Sequence, residues 1–141
     1  MGLDVGDRTI GIAISDELGI TAQGLKTLRR KSTEEDFKEI ASILAHFEIE
    51  KIIVGIPRNM DGSLGIQAEK VLRWAEVLRA QFKIPVDVWD ERLSTVGATR
   101  VLLEADLSRR KRKKVVDKLA AVLILQGYLD QSRRKNETAL Q

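Results

Sequence analysis

Lys51 to Ile56 reads Lys-Ile-Ile-Val-Gly-Ile and is closed by Gly55 and Pro57, a brief apolar run with no polar side. A strand of that composition suits the middle of a sheet covered on both faces, because a strand with one wet face alternates polar and apolar residues. The rest of the chain therefore has to supply neighbouring strands and covering helices. Residues 3 to 15, Leu-Asp-Val-Gly-Asp-Arg-Thr-Ile-Gly-Ile-Ala-Ile-Ser, read as two short β-branched runs around Gly6-Asp7-Arg8, a hairpin signal. Residues 20 to 28 can supply a third strand, and Val86 to Trp89, preceded by Pro85, another.

Helical spacing fills the intervals. Ser32-Thr33-Glu34-Glu35 is a capping box, followed by Phe37, Ile40, Ala41, Leu44 and Phe47. Val71, Trp74, Ala75, Leu78 and Phe82 mark a second helix after a loop from Pro57 to Gly65. Ser94 or Thr95 can cap a third, running to about Ala105. Val115 to Leu129 is apolar enough around its circumference to predict a buried helix, and the polar segment from Ser132 to Gln141 reads as a frayed tail. The order βββαβαβαα predicts an α/β layered domain in which an antiparallel hairpin part meets a parallel βαβ part. A chain of 141 residues, 43% hydrophobic and 32% charged, suits one domain, over residues 1–131.

Several function classes fall away on composition. Without cysteine there is no disulfide framework and no thiolate zinc site, and one histidine, His46, rules out a multi-histidine metal site. No segment approaches the roughly 20 apolar residues of a membrane span, so a cytoplasmic protein without a membrane partner is expected. The net charge of +3 conceals an unbroken basic run, Arg109, Arg110, Lys111, Arg112, Lys113 and Lys114, which fits a polyanionic partner as well as a solvated surface.

Three acids stand out. Asp4 lies within the first apolar strand, where alternation sets it on the opposite face from Leu3 and Val5; a strand-end aspartate capping a turn is the plainer alternative. Glu91 follows the strand ending at Trp89, at the sheet edge where open α/β sheets bind ligands, and competes with its neighbour Asp90 and with a simple pairing to Arg92. Asp117 leads the helical stripe Ala121, Ile124 and Tyr128, either as a first-turn acid favoured by the helix dipole or as a buried group that needs a cation. Carboxylates drawn from separate segments are what a two-metal hydrolytic centre requires, with Mg²⁺ or Mn²⁺ taking the oxygen ligands. Arg58, in the Pro57–Gly65 loop, is placed to meet a phosphate. The few aromatic residues, Trp74 and Phe82 among them, suit a core better than base stacking, so backbone charge and shape would govern recognition.

The words Gly2-Leu-Asp-Val-Gly-Asp-Arg-Thr-Ile-Gly-Ile-Ala-Ile-Ser-Asp16, Val54-Gly-Ile-Pro-Arg-Asn-Met-Asp-Gly62, Asp90-Glu-Arg-Leu-Ser-Thr95 and Val116-Asp-Lys-Leu-Ala-Ala-Val-Leu-Ile-Leu-Gln126 resemble, in that order, the YqgF or RuvX family, described as pre-16S rRNA nucleases and earlier as Holliday junction resolvases. The resemblance implies an RNase H-like fold, a five-stranded mixed sheet in the order 3-2-1-4-5 flanked by helices, and metal-binding roles for Asp4, Glu91 and Asp117. Arg8, Arg58, Arg92 and Arg109 through Lys114 are the candidate nucleic-acid contacts. Two departures stand out: Met1-Gly2 begins almost at the carboxylate, which predicts either a short first strand or a misassigned start codon, and Thr9 occupies a position where family members commonly carry a basic residue, with Arg8 beside it.

Four readings follow. The first is an endonuclease on structured RNA, in ribosomal RNA maturation, as a monomer or homodimer. The second keeps the chemistry and takes branched DNA, where a two-fold dimer would pair two sites. The third is a non-catalytic RNA or ribosome-associated module with the same fold. The fourth, a phosphate-binding hairpin like that of actin-like and sugar kinases, needs a second lobe for which the chain has no room.

Overall fold

The computed structural model describes residues 1–93, 95, 96, 99 and 109–140, with the side chains of all but 109–114 and 138–140. Five strands make one sheet: β1 (Gly2–Val5), β2 (Thr9–Ser15), β3 (Ala22–Arg29), β4 (Ile52–Ile56) and β5 (Val86–Asp90), ordered β3-β2-β1-β4-β5. β2 runs antiparallel to both β1 and β3, while β4 is parallel to β1 and β5. The Gly6 N–H donates to the Thr9 carbonyl at 2.8 Å and closes the β1–β2 hairpin, so the glycine-centred turn forms where the sequence places it. Every residue of β4 is buried. Its flanking strands take its backbone groups and helices cover both its faces, as its unbroken apolar run requires.

Helix α1 (Thr33–His46) starts at Ser32, whose hydroxyl accepts from the Glu35 N–H at 3.1 Å, and Glu34, Glu35 and Asp36 place negative charge at its positive end. With α2 (Ile66–Gln81) it covers one face of the sheet. Phe37, Ile40, Val71, Trp74 and Leu78 pack there against Leu3, Val5, Ile10, Ile12, Ile52, Val54 and Ile56. The Phe37 ring meets Trp74 and Phe82 edge to face at 5.5 and 5.8 Å. These aromatics are core, as expected.

The opposite face lies under one long helix, α3 (Arg109–Leu140), whose 32 residues extend about 48 Å. It departs from expectation in three ways. The basic run is the start of the helix rather than a separate segment before it, since arginine and lysine favour helix without any apolar periodicity to announce them. Burial is one-sided: Val116, Ala120, Ala121, Ile124 and Leu125 are buried while Val115 is exposed, because a single sheet face touches a single helix face. And residues 132–140 are helical instead of frayed; Gln126 donates to Asp130 at 2.9 Å and Arg133 pairs with Asp130 at 2.6 Å, linking successive turns. The expected helix from Ser94 or Thr95 to Ala105 lies mostly outside the described residues; Glu91–Leu93 forms a single 3-10 turn after β5. Among the described residues, no helix is long and apolar enough to cross a membrane.

Candidate functional site

Asp4 is directly opposite Gly11 in the β1–β2 ladder, and opposed residues point to the same side of a sheet. The β1–β4 pairing matches Leu3 with Val54, so one residue further along Gly55 stands beside Asp4. A row Gly11–Asp4–Gly55 therefore crosses three strands on the face under α3. Both glycines permit close approach. A Cβ on Gly11 would collide with the Asp117 carbonyl, and one on Gly55 would collide with Ile124 Cδ1 and stand 3.0 Å from Glu91 Oε1. The helix backbone at Asp117 thus rests on β2 to one side of Asp4, and the Glu91 carboxylate reaches back over β4 on the other.

Neighbouring strands are about 4.8 Å apart, so the three acids converge on one end of one sheet face. Asp4 is 7% and Glu91 8% exposed, both far below ordinary carboxylates. Asp117 is half-buried and leads the stripe of Ala121 and Ile124, which are buried, and Tyr128, which packs beside them. Its Oδ2 accepts a hydrogen bond from the Thr9 hydroxyl. The acids share a location without forming a finished cage: among the described residues, no group of three or more His, Cys, Asp or Glu is arranged to hold a metal. Carboxylates in a low-dielectric interface repel one another, which opposes closing such a cage from acids alone. Their chemistry suits a hard divalent cation, since all the donors are carboxylate oxygens, two of them on buried residues.

The Arg92 guanidinium turns to Asp90 instead of Glu91. Its Nε lies 3.1 and 3.0 Å from the two Asp90 oxygens and its Nη2 2.6 Å from Oδ2, while Nη1 reaches the Met60 carbonyl at 3.3 Å. This hydrogen-bonded fork holds the Asp90 carboxyl below the usual aspartate range. Arg58 donates to the Gly62 carbonyl at 2.9 Å, and its Nε is 4.0 Å from Asp90. Asp90, treated by sequence as a rival to Glu91, is thus an anchor that ties two arginines and the 57–65 loop to the end of β5. Arg58 and Arg92 thus gather about Asp90, with Asp61 also within electrostatic reach of Arg92. Arg8 is exposed in the β1–β2 turn at the same sheet edge, and following α3 back from Asp117 carries residues 109–114 past that edge. The side chains of Arg109 through Lys114 lie outside those described.

Sequence reasoning missed Thr9 as a partner of Asp117 and the glycines that flank Asp4. The signal for the glycines was present: Gly11 and Gly55 each interrupt an apolar strand at the position that points away from the larger core. Thr9 left none, because the residue it meets lies 108 positions away.

Comparison with known proteins agrees with this architecture. The chain is 55% identical over 130 residues to a protein of Clostridium acetobutylicum named "Putative pre-16S rRNA nuclease", covering 92% of this chain and 96% of that protein. A Clostridium botulinum protein of the same name is 59% identical, over 92% of this chain and 95% of its own. Among solved structures, T. thermophilus RuvC in complex with Holliday junction substrate superposes with a TM-score of 0.58 over 94% of both chains, at 16% identity. That likeness shows a shared RNase H-like fold. The family model described as "RuvX: Holliday junction resolvase" matches residues 1–131, and the chain belongs to that RuvX, or YqgF, family.

Proposed function

We propose that this protein is a divalent-metal-dependent endonuclease that hydrolyses phosphodiester bonds in structured nucleic acid, with the precursor of 16S rRNA as its substrate. The observation that carries the reading is the burial of Asp4 and Glu91 on the face where α3 delivers Asp117. Carboxylates buried on one face need hydrogen bonds, counter-charges or a cation to hold their charge, and oxygen donors of this kind suit a hard divalent ion. Asp4, Glu91 and Asp117 would hold one or two Mg²⁺ or Mn²⁺ ions, which when bound supply an activated water and stabilise charge on the leaving oxygen.

The chain's own residues do the rest. The Gly11–Asp4–Gly55 row lets α3 and Glu91 settle close to either side of Asp4, which would bring the three acids within reach of a shared metal. Arg58 and Arg92, held by Asp90, and Arg8 in the hairpin turn offer donors to substrate phosphates, while the run Arg109 to Lys114 contributes charge that follows a backbone regardless of base sequence. The names of the clostridial relatives support the RNA substrate. A cytoplasmic site of action follows from that substrate.

A second reading has its own support. The matching family carries the description Holliday junction resolvase, and branched DNA would be cut by the same acids, with a two-fold dimer presenting a pair of sites. Incubating purified protein with Mg²⁺ and either precursor 16S rRNA or a four-way DNA junction separates the two. Cleavage of the RNA that disappears in Asp117→Asn supports the first reading; cleavage of the junction alone replaces it with the second. Activity on neither, with Asp4→Asn fully functional in cells, would establish a binding module instead.

A further inference from the structure

Thr9 is held in place independently of α3. It is the first residue of β2, its carbonyl accepts the Gly6 N–H at 2.8 Å, and it pairs with Arg29 on β3. As a β-branched side chain it has few rotamers to choose from. It shares the α3 face with Gly11, two residues on. Because Gly11 has no side chain, the peptide of Asp117 settles onto β2, and there the Thr9 Oγ1–H donates to Asp117 Oδ2.

We propose that Thr9 is a positioning residue for Asp117, orienting its carboxylate for a divalent cation. The hydroxyl occupies one lone pair of Oδ2 and fixes the rotation of the carboxylate, leaving Oδ1 and the remaining lone pairs available as ligands. A neutral donor does this without cancelling charge. A lysine or arginine at the same place would orient Asp117 too, but would also neutralise it; threonine leaves the full negative charge to attract the metal. The inference rests on the reading of Asp117 as a metal ligand.

The test compares the wild-type chain with Thr9→Val, Thr9→Ser and Asp117→Asn by calorimetric titration with Mn²⁺, by the Mg²⁺ concentration giving half-maximal RNA cleavage, and by thermal unfolding in chelator. Thr9→Val should bind Mn²⁺ roughly 10- to 100-fold more weakly and need correspondingly more Mg²⁺, with KM for RNA and the metal-free melting temperature close to wild type. Thr9→Ser, which restores the hydroxyl, should recover most of the affinity. Thr9→Ala gives the same reading if the valine variant does not fold. Wild-type Mn²⁺ affinity in Thr9→Val, or no recovery in Thr9→Ser, overturns the inference while Asp117→Asn still loses metal. Wild-type affinity in Asp117→Asn overturns the ligand reading and this inference with it.

Discussion

Leu3 and Asp4, Ile10 and Gly11, and Val54 and Gly55 are chain neighbours whose side chains leave the sheet in opposite directions. On the side of α1 and α2, the alternate positions carry leucine, isoleucine and valine, interlocked with Phe37 and Trp74. The buried acid there, Asp36 at 2% exposed, is answered by Arg30 Nε at 3.2 Å and the Lys31 N–H at 3.0 Å. On the side of α3, the same strands present Gly11, Gly55 and Ala13, the helix answers with Ala120 and Ala121, and Asp4 and Glu91 are buried at one end. Large side chains on the first side supply stability, at about 1.5–3 kcal/mol for each fully buried aliphatic group. On the second, beside Ile53 and Trp89, the small residues let the helix approach until the Asp117 peptide lies on Gly11 and Ile124 on Gly55. One sheet thus carries its larger apolar core on one face and, in the function proposed above, its metal-binding acids beside a smaller core on the other.

Substitutions of neighbours on opposite faces should separate the two roles. The largest effect belongs to Asp4→Asn, which should retain cooperative unfolding yet lose metal-dependent cleavage on the order of a thousandfold, several kcal/mol of charge stabilisation; an active Asp4→Asn enzyme would break the division. Ile12→Ala opens a cavity under α1 and α2 and should cost about 2–5 kcal/mol in a urea titration, with kcat retained in whatever remains folded. Its neighbour Gly11→Ala drives a methyl into the Asp117 peptide, so it should cost about 1–3 kcal/mol and in addition lower activity and metal affinity. If the two variants lost activity in proportion to stability, the faces would not differ in role.

Finer effects lie at the rims. Replacing Lys113 and Lys114 with alanine should weaken RNA binding equally across sequences and reduce the slope of log affinity against log salt by about 1 for each phosphate that is no longer neutralised, leaving the melting temperature near wild type. The smallest effect concerns neither face. Asp16 accepts from the Ile20 N–H at 2.7 Å and the Thr21 N–H at 3.2 Å, and chiefly the first of these bonds lowers its pKa. A carboxyl depressed by folding stabilises its turn above the ordinary aspartate range and loses that contribution as pH falls through the lowered value. The Ile20 amide resonance should report that titration by NMR, displaced to lower pH than a free aspartate.

Much of this division was legible in the residues. The unbroken Ile52–Ile56 run demanded two covered faces, the Gly6 turn predicted the hairpin, and Ser32 with Glu35 marked a helix start that the structure repeats. Asp4, Glu91 and Asp117 were legible as oddities of placement: charges where strand or helix periodicity calls for apolar groups. Less accessible were interactions set by tertiary approach. Nothing local distinguishes Asp90 from Glu91 as the partner of Arg92, since that choice depends on how the 3-10 turn after β5 points each carboxylate. The early start of α3 was hidden because six consecutive basic residues have helix propensity but no periodicity. Thr9 meeting Asp117 depends on the register of α3 over β2, which only the bare surface of Gly11 permits.

Whether Asp4, Glu91 and Asp117 form one metal centre can be read from anomalous scattering by crystals grown in Mn²⁺. One or two strong peaks bounded by those three carboxylates are expected, absent in crystals of Asp4→Asn. Ordered Mn²⁺ found only elsewhere on the molecule, with the three carboxylates well resolved and unligated, would refute a shared centre.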